Sequence, residues 1–349
     1  MSELPQDQSL EPEVTEARPE AEPSGLETEE APPSDPSPLE SAFAVFDNPF
    51  LDAEEEPSHS ESHNAEAPLF ESLSRPEIRP QRRIPHLGHV LLLLLLASIG
   101  LLGTSILTQT ALHFHLFGVS NVTQALTDIH YTLGSMAALY LITLGIGVLV
   151  FPLFWHKSFF AGIQWRASTA IHLRRRLLLA AVLCFILALL NGWLLPGPAN
   201  TPIDKLFRTP SAAWMMFAFG VTFAPFFEEI VFRGFLLPAL CTSFDWIAEK
   251  AHGVPPLPLD TNGHPQWSLV SMALASIATS LPFAWMHAEQ TSYALGPLIL
   301  LVCVSMVLCW TRLTTRSLAA SVMVHSSYNF LLFAFMLLGT SGFRHLDKM

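Results

Sequence analysis

The sequence predicts an all-α polytopic membrane protein, with about seven transmembrane helices, a polar intramembrane cavity and a disordered acidic tail in front. Three observations carry this. Half of the 349 residues are hydrophobic (50%) and only 14% are charged. Beyond residue 85 the apolar residues come in runs long enough to cross about 30 Å of hydrocarbon at 1.5 Å per residue. The charge is also divided: residues 1–80 hold 21 of the 30 acidic residues and three arginines, a net −18, and the rest of the chain is +6.

The tail, residues 1–84, is rich in Pro, Glu, Ser and Ala and lacks periodicity. It cannot bury enough apolar surface to offset chain entropy, so disorder is its expected state. Two apolar islands, 43–51 and 68–73, read either as fluctuations in a linker or as docking segments for a cytosolic partner or for the membrane body. The tail starts acidic and has no early apolar core, so it is not a signal peptide.

The body opens with the run 87–107. Further candidate spans follow at about 131–154, 175–196, 211–240, 268–288, 294–311 and 317–339. Residues 111–127 read as a loop or interfacial helix, and 244–267, rich in proline, as a solvated loop. In these connections His113, His115, His252 and His264 have no evident partner. Residues 85–200 form a block of N-terminal spans without a usable motif, and 210–339 form a second block that holds the polar groups. Arg82, Arg83, Lys157, Arg166, Arg174–Arg176, Arg312 and Arg316 all fall on one side if the amino terminus is cytoplasmic, which is the orientation the positive-inside rule favours.

Several function classes drop out. Cys184, Cys241, Cys303 and Cys309 lie in or beside apolar runs without CxxC spacing, so they read as small buried hydrophobes. There is no glycine-rich phosphate loop and no HExxH. Nucleic acid is not an expected partner, because no basic stripe with interleaved aromatics occurs.

The stretch 224–236 is the anomaly. It places Glu228, Glu229 and Arg233 inside an apolar run, where each charge costs about 2.5–3.5 kcal/mol on insertion scales. Glu229 and Arg233 stand at i,i+4 in the favourable acid-before-base order and can neutralise each other. Glu228 is turned about 100° away and has no partner in its own helix, which makes it the candidate proton acceptor or donor. Two later spans supply further polar groups: Phe283-x-x-x-His287 ends the fifth, and His325-x-x-x-Asn329 lies within the seventh, with Ser321 one turn earlier. Such groups must find each other or water.

Glu228-Glu229-x-x-x-Arg233, Phe283-x-x-x-His287 and His325-x-x-x-Asn329, in that order, resemble the CPBP family of intramembrane proteases. That family includes the type II CAAX prenyl endopeptidases and the bacteriocin-processing and self-immunity proteins. The resemblance covers about residues 210–335. It implies an all-helical fold and peptide-bond hydrolysis in a polar cavity, with a protein or peptide substrate and lipid as partners. Glu228 would be the general base, assisted by His287, and Glu229 held by Arg233 would orient the site. His325 and Asn329 would donate hydrogen bonds to the oxyanion. A variant assigns Glu228, His287 and His325 to a divalent metal such as zinc.

Straight spans would keep His287 and His325 apart, so the helices are expected to be broken or tilted. Pro225, one turn before the acids, is the expected break. Two other classes stay open: a catalytically silent binding or immunity scaffold, and an ion-coupled transporter, although no internal repeat is visible.

Overall fold

Helix α1 (Leu87–His113) opens the described part of the protein, a computed structural model covering residues 83–198, 201–202, 204–207, 209–260 and 264–344. The acidic segment and both of its apolar islands lie outside the described residues, which begin at Arg83. After α1 come α2 (Ile129–Trp155), α3 (Arg174–Leu194), α4 (Pro210–His252), α5 (Leu269–Met286), α6 (Leu295–Thr315) and α7 (Leu318–Gly339). All seven are long and apolar enough to cross a membrane, and no strand occurs among the described residues.

Residues 111–127 contain the end of α1, a 3-10 turn (Leu116–Gly118) and a one-turn helix (Val122–Ala125) capped by Asn121. The connection between α2 and α3 is also helical, through Phe159–Gly162 and Ala167–His172. Side-chain caps fix several starts. Asp128 accepts from the N–H groups of His130 and Tyr131, Ser268 from that of Ser271, and Ser317 from that of Ala320.

Helices α1 and α2 pack side by side at small residues. A Cβ on Gly100 would lie 2.4 Å from the Thr143 hydroxyl, so only glycine permits this approach. A second core joins α3 (Leu177, Ala181, Cys184), α6 (Val304, Leu308) and α7 (Ala320, Val324, Tyr328), so the N-terminal and motif-bearing spans share one interior. Cys184, Cys241 and Cys309 are buried and Cys303 is half-buried, all as free thiols.

Helix α4 departs most from a regular span. At Thr222 the backbone turns to φ −116°, ψ −69°, ending the first segment at Val221. Pro225 is the cause: it has no N–H for the carbonyl four residues back, and its ring clashes with that carbonyl. The last carbonyls before a break lack helical partners. Two side chains take them over, Thr222 Oγ1 donating to the Ala218 carbonyl (2.6 Å) and Asn329 Nδ2 donating to that of Gly220 (2.8 Å). A π-helical segment, Ile230–Leu236, follows the acids. Pro238 explains its widening, since its ring would clash with the Gly234 carbonyl in a regular α-helix. Arg312 Nε also occupies the Arg233 carbonyl at 3.2 Å.

The segment 244–267 corrects the expectation of a solvated loop. Residues up to His252 continue α4; 253–258 form an exposed loop, and side-chain contacts reach Leu257, Asp260 and His264. His264 is partnered after all: its Nδ1 lies 3.2 Å from Asp260, its Nε2 2.7 Å from Arg166, and Arg316 pairs with Asp260. Arg83 reaches Glu249 (2.8 Å) and the Leu257 carbonyl. Arg83, Arg166 and Arg316, three of the basic residues expected on one side, thus all engage this connection.

This anchor should respond to pH. Burial, then Arg166, push the His264 imidazole below its ordinary value. For Asp260 burial works upward, but the His264 backbone N–H, the His264 ring and Arg316 outweigh it and hold the carboxyl low. Both groups thus contribute stability above their unfolded values, about 6.5 for His and 3.9 for Asp, and lose it as pH falls, His264 first. Hydrogen exchange of 253–268, corrected for intrinsic rate, should rise as pH drops below about 6.5, and His264→Ala should remove that step.

Candidate active site

The three motifs meet. Glu229 is fully buried and makes three contacts: Arg233 Nη1 at 2.8 Å, His325 Nδ1 at 3.0 Å, and the Ser321 hydroxyl, which donates to its other oxygen. Arg233 has no solvent exposure either. Its second amino group donates to Ser305 Oγ at 2.6 Å and to the Ser305 carbonyl, and its guanidinium lies over the Phe283 ring, 4.5 Å from the centroid. Side chains from α4, α5, α6 and α7 therefore lock the i,i+4 pair that the sequence had placed on one helix.

Glu228 looks the other way. It faces both histidines, with His287 Nε2 4.0 Å from one oxygen and His325 Nε2 3.9 Å from the other. The Glu228 side chain is 11% exposed and that of His287 19%, so a narrow opening reaches this side of the cluster. The histidines come together because α5 stops early. His287 caps α5 after Met286, and the chain turns there instead of running on. The break at Thr222 sets the acids at the same level.

The ring contacts fix the tautomers. His287 Nδ1 lies 2.9 Å from the Phe283 carbonyl, and His325 Nδ1 lies against the Glu229 carboxylate. Both partners can only accept, so each Nδ1 carries the hydrogen. In the neutral rings both Nε2 atoms are then acceptors aimed at the Glu228 side. Phe283 packs against both imidazoles, at 5.0 Å from His287 and 5.9 Å from His325.

Asn329 is placed differently from the other motif residues. One N–H of its amide is spent on the Gly220 carbonyl at the α4 break, so it braces the bent helix. The metal variant finds no support in the donor arrangement. Among the described residues no group of three or more His, Cys, Asp or Glu side chains is arranged to hold a metal. The two imidazoles sit by opposite oxygens of Glu228, at separations longer than about 3.4 Å, the spacing of two ligands each about 2.0–2.1 Å from one tetrahedral zinc.

Three contributors were not assigned from sequence. Ser305 binds Arg233, and a hydroxyl in an apolar run gives no signal of its own. Arg312 was read as a flanking charge on the membrane face. It lies within α6, buried, bridging the carbonyls of Arg233 and Ile163. Tyr140 on α2 stacks at 4.7 Å on Phe227, the residue next to Glu228 in the chain.

Residues 210–331 match the family model described as type II CAAX prenyl endopeptidase Rce1-like. No curated protein and no solved structure matches the chain. The match covers all three motifs and agrees with the resemblance read from them. The seven apolar helices mark the chain as an integral, multi-pass membrane protein, and its motif-bearing part, residues 210–331, is similar to the Rce1-like type II CAAX prenyl endopeptidases.

Proposed function

We propose that this chain is an intramembrane endopeptidase in which Glu228 activates water against a peptide carbonyl. The observation that carries the reading is the pair of imidazole Nε2 atoms, 4.0 and 3.9 Å from the two Glu228 oxygens, each oriented by a hydrogen bond at Nδ1. A water about 2.8 Å from both a Glu228 oxygen and His287 Nε2 would subtend about 90° at its oxygen, a workable hydrogen-bond angle. Glu228 takes the water proton as the oxygen bonds to the carbonyl carbon. The C–N bond then breaks, and the proton passes to the leaving amine.

His325 can donate to the oxyanion from Nε2 only as an imidazolium, the form in which both ring nitrogens carry a hydrogen. The second N–H of the Asn329 amide is the other candidate donor. Glu229 and Arg233 hold His325 and take no part in the proton transfer.

The substrate class we propose is a membrane-tethered protein carboxyl terminus of the prenylated CAAX kind, met from the cytosolic side with the amino terminus of this chain also in the cytosol. The test is cleavage of a quenched prenylated CAAX peptide by the purified full chain in detergent, with the unprenylated peptide alongside. If Glu228→Ala and His287→Ala cleave as fast as wild type, the reading fails. Because no step is routed through a metal, a strong chelator should leave the rate unchanged. Loss of cleavage that zinc restores would return the site to the metal variant.

A further inference from the structure

Arg312 is a buried charge to which the hydrolytic reading gives no role. It is 3% exposed, and among the described residues it forms no ion pair with a carboxylate, whereas Arg83, Arg233 and Arg316 each do. Burying a guanidinium inside a membrane span is costly, which makes the residue a candidate for a functional role. Its contacts are two backbone carbonyls: Nε donates to that of Arg233 at 3.2 Å and Nη2 to that of Ile163 at 3.4 Å.

The Arg233 carbonyl has lost both of its helical donors. In a regular α-helix it would accept from the N–H of residue 237, but the Leu237 N–H reaches back five residues, to the Phe232 carbonyl. In the π register its donor would be the N–H of residue 238, and Pro238 has none. An unpaired carbonyl is expensive in a buried turn, and Arg233 has no solvent exposure. The Arg312 Nε–H takes the place of the missing donor.

The turn held in this way follows the acids directly. A π turn inserts one residue relative to the α register, so the helix faces before and after it are offset by about 100°. That offset decides where Arg233 stands relative to Glu229, to which it donates at 2.8 Å. Through Ile163, Arg312 also ties α4 to the connection between α2 and α3. In that connection the Gln164 carbonyl accepts the Leu318 N–H (3.1 Å), and the Arg166 carbonyl accepts the Ser317 hydroxyl (2.8 Å), both at the start of α7. Arg312 therefore links the helix that carries both acids to the anchor of the helix that carries His325.

We propose that Arg312 is a positioning residue for hydrolysis. It holds the π register of α4 by taking the carbonyl that Pro238 leaves without a helical donor, and so sets Glu228 and Glu229 against the two histidines. The role in hydrolysis rests on the endopeptidase reading; the backbone role does not.

The test is a double-mutant cycle in the full chain, purified in detergent, reading melting temperature and cleavage of the prenylated CAAX peptide. Arg312→Met should lower kcat by about 10–100-fold at nearly unchanged KM, the mark of misplaced reacting groups and not of lost substrate binding. Its melting temperature should fall by several degrees. Pro238→Ala alone should stay near wild type, because Arg312 still holds the carbonyl. In the double variant the restored N–H of residue 238 gives the carbonyl its own donor, so most of both losses should be recovered. A folded Arg312→Met with wild-type kcat would overturn the positioning role. A double variant as impaired as Arg312→Met, or one that also fails to fold where Arg312→Met does not fold, would overturn the link to Pro238. If the wild-type chain cleaves nothing, the endopeptidase reading fails by itself. The melting temperatures then decide the carbonyl contact: recovery in the double variant supports it, and no recovery overturns it.

Discussion

Arg233→Met is expected to destabilise the helical body by about 3–5 kcal/mol, the cost of leaving one member of a buried ion pair without its partner. The geometry sets the size. Neither Glu229 nor Arg233 has any exposed surface, and among the described residues Arg233 supplies the only full positive charge in contact with the Glu229 carboxylate when His325 is neutral. Ser321 and His325 stay on that carboxylate but cannot replace the missing charge. The double variant Glu229→Gln with Arg233→Met removes both charges and should recover most of the loss. Thermal unfolding in detergent for both singles and the double gives the coupling. If Arg233→Met melts with wild type, the pair does not hold the site.

Glu228→Gln should lower cleavage by about 10²–10⁴-fold, the usual contribution of a general base. Its melting temperature should stay within a few degrees of wild type, because Glu228 makes only long contacts with the two histidines and has some access to solvent. These two neighbouring acids thus predict opposite phenotypes: changes around Glu229 act on the fold and, through it, on activity, whereas changes at Glu228 act on activity alone. A Glu228→Gln protein that is folded and fully active would overturn the assignment of the base.

Much of this was legible before any coordinates. Uninterrupted apolar runs declare their lengths, so the seven spans were readable to within a few residues, except for the end of α1, expected at 107 and found at His113, and for α4. There, 211–240 was the expected span and Pro210–His252 the observed helix, because its last turns are amphipathic and carry charge that hydropathy counts against a span. The i,i+4 relation of Glu229 and Arg233 is a local property of a helix and needed only the 3.6-residue period. Pro225 likewise announced its break, because the clash it causes is with its own preceding turn.

The histidine of the connection shows the opposite case. His264 pairs with Arg166, 98 positions away, and nothing in the local pattern encodes that distance. Arg312 looked like a flanking charge because charge near a run's end normally snorkels outward, yet its fork turns inward onto two carbonyls left open by an irregular backbone.

By itself, then, the sequence determined the class, the spans and the division between an engaged acid and an unengaged one, since these follow from hydropathy and from contacts within one helix. Only the tertiary structure decided which nitrogen of each histidine faces Glu228, that Asn329 braces the α4 break, and that Ser305 and Arg312 complete the buried cluster. Those are contacts between helices, fixed by where α4 bends and α5 stops. The opening two acids and one arginine made the site visible; the bends around them made it a site.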